Sequence, residues 1–419
     1  MLQIISPNRL QAREGINYDA DLKPLIARLP LASCEVCVIV PVRNEAEALE
    51  ATLLALTNQV DLKGKPLAKN RYEIIVLANN CSDNSAEIAR RFARTRSIIL
   101  HVVEMTINGD RAHVGWVRKL LMDEAYRRLK SIGRNSGIIA STDGDTQVAS
   151  TWIAATLAEI RNGADAVGGR IVTNSQERNK LDKNTRLYYL RHLRYGYLTA
   201  RLENCLDPYS EPLRRHHHHY GASLAVTAQM YAKVGGLPPF PASEDVALYD
   251  ALKRVDARFR HSPMVKVITS ARVVGRAKAG LSDRLSRLNM TATHHQPVLV
   301  ESAELIKERF CLRRRLRYIW RNMQQGVYST ELSVLARGLD LPADLLEETI
   351  LRAATFGLLV EQIGQYQQNN YKLARNWQKV TIQQAIADLS FLIQQANCLE
   401  FSLNTLEQIE PISLVARPF

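Results

Sequence analysis

The sequence predicts an α/β architecture: a mostly parallel sheet flanked by helices, with a mainly helical C-terminal part. Three observations predict it. Short apolar runs recur, as buried parallel strands do. Amphipathic stretches at helical spacing separate those runs. After about residue 285 the strand-like runs stop, and Leu, Gln, Arg and Ala dominate. Strands alternating with helices imply a parallel sheet covered on both faces.

The elements follow in order. Residues 1–32 read as a polar lead-in with one short helix near Leu22 to Leu29. Val36-Cys37-Val38-Ile39-Val40-Pro41 is a first strand. Glu45 to Asn58 carries Leu49, Leu53, Leu54 and Leu56 and reads as a helix. Glu73 to Leu77 is a second strand, Ser85 to Arg94 a helix with Asp83 as a candidate cap, and Ile98 to Val103 a third strand. His113 to Leu129 is a long helix. Gly137 to Ala140 is a fourth strand, Ser150 to Arg161 a helix, and Ala164 to Val172 opens a further strand. Ser243 starts a helix with Val246, Leu248, Tyr249 and Leu252, and Val265 to Ile268 is the strand after it.

At 419 residues the chain exceeds one ordinary core, so more than one domain is expected. The reading is an extension over 1–32, an α/β domain over 33–285 and a helical domain over 286–419. A charge of +13 favours anionic partners: nucleotides, phosphorylated substrates, nucleic acid or an anionic membrane face. No apolar run reaches the roughly 18 residues a spanning helix needs, and the N-terminus lacks a signal-like pattern. The six cysteines have no framework spacing. Cys34 and Cys37 form a close pair without a second pair of zinc ligands, and read as apolar core residues. A cytoplasmic setting with reduced thiols is the expectation.

Four polar segments must be read together. They are Val40-Pro41-Val42-Arg43-Asn44-Glu45, Leu77 to Ser85 (with Asn79, Asn80 and Asp83), Asp143-Gly144-Asp145, and Ser243-Glu244-Asp245. Three of them close successive strands, where open α/β sheets bind ligands, so one crevice collects them. Paired carboxylates at Asp143 and Asp145 are hard oxygen donors suited to Mg²⁺ or Mn²⁺ carrying a diphosphate. Glu45 and Asp83 accept hydrogen bonds from a base or ribose, or serve only as helix-start carboxylates.

The set resembles the GT-A glycosyltransferases of family 2 over roughly residues 35–275. The first segment is similar to that family's strand-end Pro-x-x-Asn-Glu. The second resembles its acidic turn, with Asn79 and Asn80 replacing the usual acids. The third resembles its metal-binding Asp-x-Asp and the fourth its Glu-Asp pair, preceded by Gly221-Ala222-Ser223 and Gly235-Gly236. The resemblance implies an inverting transfer from a nucleoside-diphosphate sugar, by default a UDP-sugar, to an acceptor it does not name. It implies a nucleotide-sugar pocket of Pro41, Arg43, Glu45, Asn79, Asp83, Arg118 and Asp143. Asp145 is implied as the metal ligand, with Asp143 assisting or facing the ribose. Asp245 is implied as the base, supported by Glu244.

Other features are left open at this stage. Arg118 and Lys119 reach the nucleotide or belong to a solvated helix face. In Arg214-Arg215-His216-His217-His218-His219, one histidine faces the diphosphate or metal, and the rest read as a solvated basic loop. Arg272 and Arg276 grip a phosphate or cap the sheet edge. The basic stretch Lys307 to Arg321 is a solvated face or lies against an anionic membrane surface. Leu332 to Leu359 resembles a helix-turn-helix, and nucleic acid is the disfavoured partner. Rival readings are a sugar-phosphate nucleotidyltransferase, which the absence of Gly in residues 41–45 argues against, a retaining transferase, and a DNA-binding regulator.

Overall fold

The computed structural model describes residues 24–208, 215–276, 280–294, 296–370 and 379–407. Its first half contains β1 (Val36–Val42), α1 (Leu49–Thr57), β2 (Tyr72–Asn79), α2 (Ser85–Thr95), β3 (Leu100–Met105) and α3 (Val114–Ser131). There follow β4 (Ile138–Ser141), β5 (Thr146–Val148), α4 (Trp152–Arg161), β6 (Ala166–Thr173), α5 (Ser175–Asn179) and α6 (Lys183–Leu206). Next come β7 (Leu224–Thr227), α7 (Ala228–Lys233), α8 (Glu244–Arg254), β8 (Phe259–Thr269) and α9 (Leu281–Thr293). The remainder is β9 (Leu299–Glu301), α10 (Ala303–Gln324), α11 (Leu332–Leu339), α12 (Ala343–Arg352), α13 (Phe356–Asn370), β10 (Lys379–Thr381) and α14 (Ile382–Glu407).

Eight strands form one sheet in the order β3-β2-β1-β4-β7-β6-β8-β5. The pairs β1–β2, β1–β4, β2–β3 and β6–β8 are parallel, while β7 and β5 run antiparallel to their neighbours. The strand pleat divides the core. Val36, Val38 and Val40 face a layer made by α1, α2 and α4, with Leu53, Phe92 and Trp152 in it. Cys37 and Ile39 face α3, α7 and α8, with Leu121, Tyr231 and Leu248. This is the expected mostly parallel sheet with helices on both faces.

Helices α10 to α14 contain the C-terminal apolar surface. Leu316, Leu335, Leu346 and Leu359 make one cluster among α10 to α13. Leu198 and Leu202 of α6 pack with Ile306 and Phe310 of α10 and with Ile382 and Leu389 of α14.

Three local expectations are corrected. Within Leu22 to Leu29, residues 22 and 23 lie outside the described residues, and residues 24–29 are not helical. Pro24 and Pro30 bracket them, and their backbone bonds outward: Leu25 N–H donates to Glu124, and Ile26 and Arg28 carbonyls accept from Arg127 and Arg128. Helix α1 begins at Leu49 rather than Glu45. The basic stretch on α10 is not simply a solvated face. Arg313 donates to Glu203 and Asp207 at 2.6 Å each, and Arg317 also pairs with Asp207. These cations are used to dock α10 on α6.

Candidate active site

Strands β1, β2 and β4 deliver their carboxyl ends to one cavity of about 2680 Å³. Pro41, Arg43, Glu45, Asn79, Asp143, Asp145, Glu244 and Asp245 all line it, as does Arg118. The backbone is unusual at this edge. Asn44 and Asn80 leave their strands with φ of 56° and 48°, and Ser243 opens α8 with φ of 59°. Non-glycine residues in the left-handed region persist where surrounding contacts hold them, often at functional sites. Here Asn44 Oδ1 accepts from Ser82 N–H at 2.7 Å, joining the first two loops.

Asp83 is exposed and outside the cavity wall. Its carboxylate accepts from Ala46 N–H at 3.0 Å and from Ser85 N–H and Oγ at 3.0 and 2.6 Å. It braces the Glu45 loop, and Asn84, not Asp83, is the N-cap of α2. Asn79 is buried and donates to Asn80 Oδ1 at 2.6 Å. Glu45 is also buried, and its carboxylate pairs with Arg272 at 2.8 and 2.6 Å and with Arg276 at 3.2 Å.

Arg118 is the hub. It is 3% exposed, which rules out the solvated helix face. It donates to Asp143 at 2.9 Å, Glu244 at 3.0 Å and the Gly221 carbonyl at 3.3 Å, and also to Ser141 Oγ. Two glycines make this approach possible. A Cβ on Gly115 would meet the Phe240 carbonyl oxygen at 1.9 Å, and one on Gly221 would meet the Arg118 guanidinium carbon at 2.5 Å. Burial opposes the charge of Arg118, but Asp143, Glu244 and Asp245 outweigh it and raise its pKa. Lys119 instead pairs with Asp123 at 2.6 Å along the helix.

Asp145 carries a carboxyl with a raised pKa. Burial and the neighbouring Asp143 push its carboxyl up to about 6, against the pull of Arg272 at 3.1 Å. Glu244 is raised too, by burial and by Asp245, against the pull of Arg118. Asp245 is half-buried; its Oδ2 accepts from Gly221 N–H at 2.7 Å and its Oδ1 from Val246 N–H at 2.8 Å.

The histidine tract is not a solvated loop. Arg214 lies outside the described residues, but His216 and His218 are buried, at 6% and 9% exposure. His216 Nδ1 accepts from His218 N–H, and His218 Nδ1 accepts from Ile171 N–H at 3.0 Å. His219 stacks on Tyr249 with ring centroids 4.1 Å apart. Burial holds His217 at about 4 and His218 at about 2, so both are neutral near pH 7. Loss of charge is how a buried imidazole avoids the desolvation cost.

Residues 37–215 match the family description "Glycosyl transferase family 2". This segment is a family 2 glycosyltransferase domain. The chain is 31% identical over 138 residues to glycosyltransferase AglE of Haloferax volcanii, covering 32% of this chain and 39% of that protein. The match thus spans well under half of the curated relative's length. Among solved structures, S. aureus TarS 1–349 aligns at 12% identity, 81% of this chain, 93% of that chain and a TM-score of 0.41. The mannosyltransferase PcManGT from Pyrobaculum calidifontis, in complex with GDP-Man and Mn²⁺, aligns at 16%, 91%, 89% and 0.40.

The cavity thus collects the expected residues apart from Asp83. What the motifs missed is the wall opposite them. Tyr189 and His192 of α6, Arg284 of α9 and Phe356 of α13 also line the cavity. No short motif marks them, because they come from helices that meet only through tertiary packing. Among the described residues, the group of three or more His, Cys, Asp or Glu with mutually close ligand atoms is Cys34, Cys37 and Glu73. It lies near the amino ends of β1 and β2, outside the cavity lining, and Arg128 already holds Glu73 there by two hydrogen bonds of 2.7 Å.

Proposed function

We propose that the chain transfers a sugar from a nucleoside diphosphate, by default a UDP-sugar, to an acceptor hydroxyl with inversion. The catalytic unit is residues 33–285, and the C-terminal helices contribute Arg309, Arg313 and Phe356 to the cavity wall. One observation carries the reading: the strand-end carboxylates Asp143 and Asp145 and the pair Glu244 and Asp245 line the same cavity, tied together by Arg118.

Asn79, Pro41 and Glu45 form the nucleotide end, with Arg43 at the exposed rim. The donor set at Asp143 and Asp145 fits Mg²⁺ or Mn²⁺: both offer hard oxygens, and a divalent cation would offset the repulsion from Asp143 that, after burial, raises Asp145. When bound there, such an ion supplies charge neutralisation for the departing diphosphate. Asp245 takes the proton of the acceptor hydroxyl. The acceptor oxygen forms its bond to the anomeric carbon opposite the diphosphate, and the breaking C–O bond leaves its electron pair on the diphosphate. Glu244, gripped by Arg118, positions Asp245. Asp83 supports the Glu45 loop from outside the cavity. Among the described residues no helix is long and apolar enough to cross a membrane.

Calorimetry with UDP-glucose and UDP-N-acetylglucosamine, with and without Mn²⁺, tests the proposal. Binding strengthened by Mn²⁺ in the native chain and indifferent to it in Asp145→Ala is expected. Absence of binding to any nucleotide sugar defeats the reading; unchanged Mn²⁺ dependence in the variant defeats the metal assignment.

A further inference from the structure

We propose that the end of the cavity between α6 and α9 recognises an anionic group, phosphate or carboxylate, on the acceptor, with Arg284 as its counter-charge. Calling this ligand the acceptor rests on the sugar-transfer reading above; the anion site itself rests on geometry.

Arg284 lies in the first turn of α9, lines the cavity and is half-buried. Most other guanidinium groups in the wall already have carboxylate partners. Arg118 has Asp143 and Glu244, Arg272 has Glu45 and Asp145, Arg309 has Glu301, and Arg313 has Glu203 and Asp207. Among the described residues Arg284 has none. A cation partly withdrawn from water without a counter-charge costs free energy. A ligand that brings the negative charge removes that cost.

The surroundings fit an anion in three further ways. First, the groups that feel Arg284 are Tyr189, His192, His217 and Tyr220, all uncharged near pH 7. Burial, with Arg284 adding to it, holds His192 and His217 at about 4. His217 and Tyr220 can donate hydrogen bonds without competing for Arg284, whereas His192 Nδ1 already donates to the Tyr188 carbonyl. Second, His217 Nδ1 is a buried polar atom without a hydrogen-bond partner among the described residues, and its ring lines the cavity. An orphaned buried nitrogen of this kind calls for a ligand or water. Third, the N-terminal turn of α9 also faces the cavity through Gly280, Leu281 and Ser282. Its N-cap is Gly280, which has no side chain to satisfy the first-turn N–H groups. Asp283, the acid on that turn, is not among the lining residues.

Tyr220 connects this subsite to the chemistry. Burial raises its phenol, and both Arg284 and Asp245 are close enough to act on it. The next residue, Gly221, donates its N–H to Asp245. An acceptor anchored by its anionic group at Arg284 therefore has its hydroxyl end toward Asp245. The guanidinium of Arg272 serves the other end, against Asp145 and Glu45.

The test is calorimetry on the full chain, saturated with UDP and Mn²⁺, with inorganic phosphate, glycerol phosphate and glycerate as probes. Phosphate-bearing probes alone binding identify a phosphorylated acceptor, and glycerate alone a carboxylated one. Arg284→Ala should weaken binding tenfold or more, Arg284→Lys should restore part of it, and the exposed Arg91→Ala should change nothing. UDP affinity should be the same in all. If Arg284→Ala loses its thermal unfolding transition, Arg284→Lys and Arg284→Gln are compared instead. The proposal is overturned if no probe binds, if the variants bind equally, or if Arg284→Ala weakens UDP itself, which would assign Arg284 to the donor diphosphate. Arg284-dependent anion binding in a chain that ignores UDP would instead remove the sugar-transfer reading and leave the anion site standing.

Discussion

Helix α3 carries two buried arginines ten residues apart, and they end in opposite electrostatic situations. Arg128 is fully buried near the amino ends of β1 and β2 and donates to both oxygens of Glu73, to the Arg28 carbonyl and toward His101. Burial alone would raise Glu73, but hydrogen bonds from Arg128, His101 and Cys37 hold it at about 2. That cluster is electrically closed. Arg118 is also buried and pairs with Asp143 and Glu244, yet burial and the neighbouring Asp245 still raise Glu244, and burial and Asp143 hold Asp145 at about 6. One arginine completes a structure, whereas the other leaves negative charge facing an open cavity. Perturbed groups with an unmet charge are what a site for a cation or a transferred proton looks like.

The largest expected effect separates base from scaffold. Asp245→Asn keeps size and can still open α8, but cannot take the acceptor proton. Turnover should fall by roughly 10²–10⁴ while donor affinity holds, measured by steady-state kinetics beside calorimetry. Near-normal turnover would remove Asp245 as base.

The comparison itself is broken or sharpened by Arg118→Met against Arg128→Met. Each leaves buried carboxylate unpaired, so each should lose about 3–5 kcal/mol in urea unfolding. Only Arg118→Met should also abolish Mn²⁺-dependent donor binding. Equal loss of donor binding in both would mean that α3 matters only as scaffold.

Acid should affect the two clusters at different pH. A metal needs Asp145 ionised, so Mn²⁺ affinity should fall as pH drops through about 6, approaching tenfold per unit below it. Glu73 is depressed in the folded state. Its contribution to stability is therefore present above about 4.5 and lost as pH falls toward about 2. Glu73→Gln should remove that component from acid unfolding curves while leaving the Mn²⁺ profile in place.

The smallest effect is expected at Asp83→Asn. Its carboxylate braces Ala46 and Ser85 from outside the cavity, so UDP affinity should fall only a few-fold in calorimetry, through a looser Glu45 loop. A hundredfold loss would put Asp83 against the nucleotide after all.

Local pattern determined much of this protein. Short continuous apolar runs such as residues 36–40, rich in Val and Ile, read as strands covered on both faces, and their polar ends mark a sheet edge. That made the α/β class, the family resemblance and residues 143 and 145 legible, because strand and loop chemistry are written in adjacent residues. Tertiary structure decided the rest. The direction of β7 depends on its partners β4 and β6 rather than on Leu224–Thr227 alone. Four consecutive histidines read as polar, yet packing beside Tyr249 and Ile171 withdraws them from water and holds His217, His218 and His219 neutral near pH 7. In sequence Arg118 reads either as a nucleotide contact or as a solvated helix cation; only the fold, with Gly115 and Gly221 allowing close approach, shows it reaching four partners from distant segments. Whether a charge is solvated, neutralised or left unmet depends on what the fold brings within a few ångströms of it, and those neighbours are far away in sequence.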